Sequence, residues 1–237
     1  MRRESFSTPE PPRLDLRLQA GEIDVHAGAA PETVVELEPL GGDDSRRAVE
    51  EARVELRDGV VVVDVPELRG FRLFSHGPEV RLAVACPSGS SLRSRSASAD
   101  VRLSGLMASV EVETASGDVE IDEVEGDATA TTASGDVKVR RVGGTLAVQT
   151  ASGDVSAERV GGHGTFRTAS GDVVVRDAAA SVSAQTASGD QRIEAVSAGE
   201  VTLRSASGDI HVGVRRGSSV WIDASSMSGD TTSELEA

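Results

Sequence analysis

One short motif supplies most of the side chains in this sequence that could do chemistry. Thr-Ala-Ser-Gly-Asp, or a near variant of it, recurs every 18 residues between Asp100 and Asp190. The regular copies end at Asp118, Asp136, Asp154, Asp172 and Asp190, and weaker copies end at Asp100, Asp209 and Asp230. Asp and Ser supply the oxygen ligands that Ca²⁺ prefers, and two carboxylates are what a glycosidase needs.

We weigh three roles for these aspartates. The first is structural, because Gly tolerates tight turns and Ser and Asp side chains bond nearby backbone N–H groups. The second is a calcium ladder along Asp118, Asp136, Asp154, Asp172 and Asp190, although the Gly-Gly-x-Gly-x-Asp repeat of calcium-loaded β-rolls is absent. The third is a catalytic acid pair, which identical carboxylates in every repeat do not favour. The sequence favours turn capping and predicts no metal site, no cofactor and no catalytic residue.

The fixed period predicts that the elements holding these aspartates are themselves stacked repeats. When residues 97–237 are written as rows of 18, apolar residues fall into five columns at strand spacing, with Gly-rich corners between them. The columns begin at Val101, Leu103, Leu106, Val110 and Val112. The column just before each Ala-Ser-Gly-Asp is Thr or Ser, and its parity predicts that it points inward or into the corner. We therefore predict an all-β, single-chain parallel β-solenoid with about 18 residues per coil.

Two further patterns support parallel stacking. In one row, Gly164 is small where Phe166 is large, as close packing within one layer demands. One outward column alternates strictly in sign, which adjacent parallel strands need because like charges directly opposite each other destabilise a sheet. That column reads Asp122, Arg140, Glu158, Arg176 and Glu194.

Irregular positions in the repeat are the candidates for interaction. The two longer repeats predict bulges around 198–200 and 213–219, and the second of these contains Arg215 and Arg216. Trp221 alternates out of phase with Val220 and Ile222, so we expect it to face outward and either cover the C-terminal segment or form a contact surface. Gln191 is polar in an apolar column, which predicts a hydrogen-bond partner or a local rotation of the strand.

Residues 1–96 are predicted to be a β-rich segment that supplies the cap or the first coils of the same solenoid. Gly21-Glu22-Ile23 resembles a worn copy of the Gly-Asp-Val turn. The stretch 43–52 predicts one short helix, with Asp43, Asp44 or Ser45 as its N-cap. Asp58-Gly59 predicts a hairpin, and Cys86 shares an apolar strand face. The aromatic residues of the segment 69–77, Phe71 and Phe74, predict either a cap over an open end or a docking patch.

Composition limits the classes of function. The formal net charge of -15 argues against nucleic acid and against adsorption to anionic lipid. The sequence has one cysteine, and we find no signal peptide and no apolar run that could insert into a membrane, which predicts a cytoplasmic protein. The four histidines have no ligand spacing, and no nucleophile elbow or phosphate loop is present, so we predict that the protein is not an enzyme.

The repeated Ser-Gly-Asp-Val corners, the Arg-Leu-Asp-Leu at 13–16 and the Ser-Val-Trp-Ile-Asp-Ala-Ser-Ser-Met-Ser-Gly-Asp at 219–230 resemble one bacterial family over nearly the whole chain. It is the "putative adhesin" β-strand-repeat family, domain of unknown function 4097, and high-GC actinobacterial members are the nearest in style. The resemblance implies a β-solenoid without an established activity or catalytic residues, and some relatives lie near envelope-stress and regulatory genes.

The sequence therefore predicts a non-enzymatic scaffold that binds an unidentified protein partner, with a homodimer through open solenoid ends as a further expectation. Two alternatives are an adhesin-like or carbohydrate-binding or carbohydrate-cleaving β-helix, and a calcium-stabilised solenoid.

Overall fold

The computed structural model describes residues 1–66 and 78–236 of the 237-residue chain, with side chains as far as residue 234. The chain folds as a parallel β-solenoid with about 18 residues per turn, which confirms the predicted fold class. It forms two compact units, Met1–Asp118 and Val119–Ala237. The division that we predicted at residue 96 stays a prediction.

The first unit contains eight described strands and one helix. They are β1 Arg2–Ser7, β2 Arg13–Gly28, β3 Glu32–Pro39, α1 Asp43–Glu51, β4 Arg53–Arg57, β5 Val60–Asp64, β6 Glu79–Pro87, β7 Ser91–Met107 and β8 Ser109–Glu113. β2 pairs in parallel with β5 and β6 on one side and with β7 on the other. β1, β3 and β4 pair antiparallel with their neighbours, so parallel coils give way to antiparallel strands in this unit.

The order of stacking in this unit differs from the order in the sequence. Glu22 lies opposite Asp100, and Gly21 has the positive φ of 124° that the Ser-Gly-Asp glycines also adopt. The prediction that Gly21-Glu22-Ile23 is a worn copy of the repeated corner is therefore confirmed. The coil of β2 lies directly against the coil of β7, although 78 residues separate their equivalent positions.

The helix α1 forms where the sequence predicts it, but its N-cap differs from all three candidates. Gly42 occupies the N-cap position, and no side chain there bonds the helix backbone. Ser45 is instead buried, and its Oγ accepts a hydrogen bond from the Glu79 N–H at 3.1 Å. Its hydroxyl is used to join the helix to β6 rather than to cap the helix. The hairpin prediction is confirmed, since Asp58 and Gly59 both have the positive φ of a tight primed turn between β4 and β5.

One predicted core position is wrong. Leu106, placed at the head of an apolar column, is 37% exposed, whereas Met107 is fully buried. Gly105 has a φ of 82°, so the backbone turns out of strand geometry one residue before Leu106. That turn shifts the inward position from Leu106 to Met107.

The second unit contains the regular coils. Its strands are β9 Val119–Val124, β10 Ala128–Thr131, β11 Val137–Val142, β12 Leu146–Gln149, β13 Val155–Val160, β14 Gly164–Ser170, β15 Val173–Ala178, β16 Val182–Ser188, β17 Gln191–Ser207, β18 Ile210–Ser226 and β19 Thr231–Glu236. Each coil has two strand segments, and each segment pairs in parallel with the same segment of the next coil. The first segments form one stack, which ends at β19, and the second segments form another, which ends at residues 219–226 of β18.

The core lies between the two stacks and consists of the predicted columns of small aliphatic residues. Val119, Val137, Val155 and Val173 are aligned and buried. A Cβ added to Gly164 would lie 2.9 Å from the Phe166 ring, so the one aromatic residue of this core occupies the space that Gly164 leaves open. The predicted volume compensation within that layer is confirmed.

Candidate functional site

The repeated aspartates form a hydrogen-bonded ladder. The Asp136 Oδ1 accepts the backbone N–H of Asp154 at 2.9 Å, and Asp154 in turn accepts that of Asp172 at 2.8 Å. The same bond continues through Asp190 and Asp209 to Asp230 in the second unit, and joins Asp100 to Asp118 in the first. Each carboxylate therefore binds an N–H of the next coil, which offsets the repulsion expected between like charges at strand spacing.

The glycine before each aspartate brings the corners close enough for this bond. Gly171 has a φ of 139°, and a Cβ added to it would lie 2.1 Å from the Gly153 carbonyl oxygen. Any larger residue would separate the two coils at that point. The glycine thus sets the distance at which each Asp can accept the next N–H.

The threonine column lies inside the same corners, as predicted. Thr132, Thr150 and Thr168 are buried, and each Oγ1 donates to the carbonyl two residues later, at 3.2, 3.2 and 3.1 Å. Thr-Ala-Ser-Gly-Asp therefore supplies one hydroxyl that binds its own corner and one carboxylate that binds the next. These are the contacts of a structural turn.

A calcium ion needs six to eight oxygen ligands at one place. In the described ranges 1–66 and 78–236, no group of three His, Cys, Asp or Glu side chains could hold a metal ion. Each corner of the ladder presents a single carboxylate, and one of its oxygens already accepts an N–H. The residues of the corners do not fit a calcium site.

The outward face of the first stack is covered with ion pairs. Arg140 bonds Asp122, and Arg176 lies 3.3 Å from Glu158, so two of the predicted pairs of the alternating column form. The hydrogen bond from Asp122 is the main reason that the pKa of Arg140 is raised above its ordinary value. This face of the stack is a set of mutually satisfied charges.

The register places one pair of like charges directly opposite each other. Arg141 faces Arg159 across β11 and β13, but the two guanidinium groups turn in opposite directions. Arg141 lies 3.6 Å from Glu123, and Arg159 lies 3.4 Å from Asp177. The repulsion is avoided because each arginine has a carboxylate in the coil on its other side.

Gln191 has the partner that the sequence predicted. Its side chain is 1% exposed, and Nε2 donates to the Arg204 carbonyl oxygen at 2.8 Å. Its Oε1 is buried without a partner within the described residues. Gln191 thus ties the two stacks together within the core and leaves one polar atom unsatisfied.

The bulge in β18 contains two of the predicted interaction residues. Val214 lies opposite Val196 and Ser219 lies opposite Ala198, so residues 215–218 of β18 are extra. The Arg215 Nη2 is 3.1 Å from the Asp177 Oδ1, which ties this arginine to β15. Arg216 is exposed and forms no ion pair with any residue that the structure describes.

Trp221 follows the bulge and faces outward, as predicted. Its side chain is 72% exposed and lies opposite Glu200 of the neighbouring strand. Met227, which the sequence did not single out, is 89% exposed at the end of the same strand. Its position one residue after β18 could have indicated this exposure. Trp221, Arg216 and Met227 together are called the carboxy-terminal patch below.

Three other features complete the comparison with the sequence predictions. Phe71 and Phe74 lie outside the described residues. Cys86 is buried as predicted, and burial raises the pKa of its thiol, which keeps it protonated. Asp127 was missed: its Oδ1 accepts the Thr145 N–H at 2.7 Å in a second type of corner, and the Gly126-Asp127 pair could have indicated it.

Among the described residues, no helix is both long enough and apolar enough to cross a membrane.

Comparison with known proteins finds relatives of the same architecture. A putative adhesin from Bacteroides fragilis is 15% identical, with 99% of this chain and 96% of that one covered and a TM-score of 0.47. A putative lipid binding protein from Parabacteroides distasonis is 12% identical, with 100% and 96% covered and a TM-score of 0.38. A putative adhesin from Parabacteroides merdae is 9% identical, with 100% and 96% covered and a TM-score of 0.42.

Among curated proteins, none matches the sequence. The family model described as Toastrack DUF4097 matches residues 13–166 and 165–237. The match covers more than half of the chain and agrees with the resemblance carried by the repeated corners. The chain belongs to the Toastrack DUF4097 family.

Proposed function

We propose that the protein is a non-enzymatic solenoid scaffold that binds a protein partner through the carboxy-terminal patch. The observation that carries this proposal is the 72% exposure of Trp221 beside Arg216, an arginine with no ion pair in the described structure. Trp and Arg are the residues most enriched in the energetic centres of protein interfaces.

The remaining polar groups support a scaffold rather than a catalyst. The aspartates of the corners accept backbone N–H groups, and the threonines donate to backbone carbonyls. The outward charges of the first stack bind one another. The side chains that could do chemistry are therefore used to hold the coils together, which leaves the patch as a large apolar surface with an adjacent free charge.

The proposed setting is the bacterial cytoplasm, in an envelope-stress or regulatory system. The resemblance of the repeated corners to relatives near such genes supports this setting. The net charge of -15 is unfavourable for adsorption to anionic lipid, which favours a protein partner over a membrane surface.

Quantitative capture from an extract of the native cells tests the proposal. The full chain, the Trp221→Ala variant and a control, Thr165→Ala on the outward face of β14, are each used as bait. We expect one partner whose recovery falls about thirtyfold in Trp221→Ala, as for a hot-spot residue, and stays unchanged in the control. Equal recovery by all three baits would overturn the proposal. A neutral glycan that binds in a Trp221-dependent way would favour the carbohydrate-binding alternative instead.

A further inference from the structure

The two stacks of the second unit end at different levels. β19 pairs with residues 210–215 of β18, whereas no described residue pairs with the outer edge of residues 219–226. The step between them is one strand deep and eight residues long. We call this step the notch, and residues 219–226 are its floor.

The floor presents backbone groups in the phase of a strand that expects a neighbour. In an earlier coil the Leu146 N–H donates to the His163 carbonyl of the next coil at 3.0 Å. Ile222 stands in the same column as Leu146, so its N–H faces the notch. Such an edge is a template for strand addition.

The side chains of the floor are apolar and incompletely covered. Val220, Ile222 and Ala224 are half-buried, although Val201 and Leu203 in the strand beneath them are fully buried. Burying their remaining apolar surface is favourable.

The neighbouring β19 differs from the floor. Thr231 and Ser233 lie opposite Ile210 and Val212, so polar residues replace the aliphatic ones at the end of the first stack. A solenoid end with polar side chains needs no cover, which leaves the floor of the notch as the incomplete part.

We propose that the notch binds one extended segment of a partner protein by strand addition. This inference rests on the proposed role as an interaction scaffold and names the kind of segment that binds. Alternate residues of the segment are apolar and cover Val220 and Ile222. An acidic residue at the end beside the bulge pairs with Arg216, whose charge has no counterpart in the described structure.

The depth of the notch favours a single strand over a second copy of the chain. β19 projects past the floor by one strand spacing. Two copies joined floor to floor by a two-fold axis would place their β19 strands at the same level, where they would overlap. One added strand instead fills the step and completes the coil.

A synthetic peptide tests the proposal with the full chain. The probe is acetyl-Glu-Val-Thr-Leu-Arg-Ser-Ala-Ser-amide, the sequence of residues 200–207, which already fits the opposite side of the floor. It carries a nitroxide quencher at its amino end, and Trp221, the one tryptophan of the chain, reports its arrival. We expect quenching with a Kd of about 10–100 µM, because ordering a short peptide offsets much of its contact energy.

Three controls decide the outcome. Ile222→Lys places a charge in the floor and should weaken binding about tenfold or more, whereas Thr202→Lys adds the same charge on the outward face of the strand beneath and should not. A peptide of the same composition with Val and Leu adjacent should bind as weakly as the probe binds Ile222→Lys. Equal binding of the probe to all variants, or equal binding of both peptides, would overturn the inference.

Sedimentation velocity separates the competing occupant. Reversible dimerisation that Ile222→Lys abolishes and Thr202→Lys preserves would show that a second copy occupies the notch, and would overturn the inference. A partner captured from cells that needs Trp221 but binds Ile222→Lys normally would also overturn it, while leaving the proposed function intact.

Discussion

The guanidinium group of Arg215 reaches across an intervening strand to Asp177, with 3.1 Å between Nη2 and Oδ1. Asp177 lies opposite Ala195 in β17, and the small side chain of Ala195 leaves the path between β18 and β15 open. Asp177 also holds Arg159, so one carboxylate serves two arginines. This contact fixes the bulge that precedes Trp221, whereas the adjacent Arg216 is left for a partner.

Removing this contact should loosen the bulge. For Arg215→Ala we expect a loss of about 0.5–1 kcal/mol in the free energy of unfolding, because the pair is partly exposed and screened by solvent. Arg216→Ala should change stability by less than about 0.3 kcal/mol. Urea unfolding measures both, and hydrogen exchange of residues 213–219 should accelerate in Arg215→Ala alone. Faster exchange in both variants would contradict the distinction between the two arginines.

The aspartate ladder should carry measurable stability. Asp172→Ala leaves the Asp190 N–H without its acceptor, and we expect it to cost about 1–3 kcal/mol. Asp172→Asn keeps an acceptor oxygen and should recover at least about half of that loss. Both are compared by urea unfolding with Ser156→Ala, an outward position on β13. If Asp172→Ala is as stable as this control, the ladder is not what joins the corners.

Gln191 is the position where a substitution should stabilise the fold. Ile at this position would match Val173 and Ile210 in the same column and would remove a buried oxygen without a partner. The hydrogen bond to Arg204 would be lost, so we expect a net gain of about 0.5–1 kcal/mol for Gln191→Ile. Thermal unfolding gives the answer. A lower melting temperature would show that the link between the stacks outweighs the unsatisfied oxygen.

Divalent cations should have no effect on stability. The carboxylates of the corners are bonded to backbone N–H groups one by one and do not converge. We expect the melting temperature to be the same in a chelator and in millimolar Ca²⁺. A rise with Ca²⁺ that Asp172→Asn abolishes would instead support the calcium-stabilised alternative.

The period of 18 was sufficient to predict the solenoid, because identical corners with apolar columns have few other ways to pack. It also predicted the inward Thr150, the outward Trp221 and the partner of Gln191. The failures occurred where a single residue breaks the period. Gly105 moves the inward position from Leu106 to Met107, and Ser45 bonds β6 instead of capping α1.

Stacking order was also beyond the sequence. Nothing local to Glu22 indicates that it lies opposite Asp100, since the pairing joins coils that are far apart in the chain. The Arg215–Asp177 contact depends on the same kind of long-range register, together with the small Ala195 between them. A pattern along the chain predicts which face a residue occupies, but not which residue of another coil it meets.

Hydrogen exchange of the full chain, alone and saturated with the partner recovered by Trp221-dependent capture, tests the central claim most directly. We predict that protection on binding is concentrated in residues 213–227, which hold the bulge, Trp221 and the floor of the notch. Residues 137–160, whose outward charges are already paired, should exchange at the same rate in both states. Protection of 137–160 without protection of 213–227 would contradict the account.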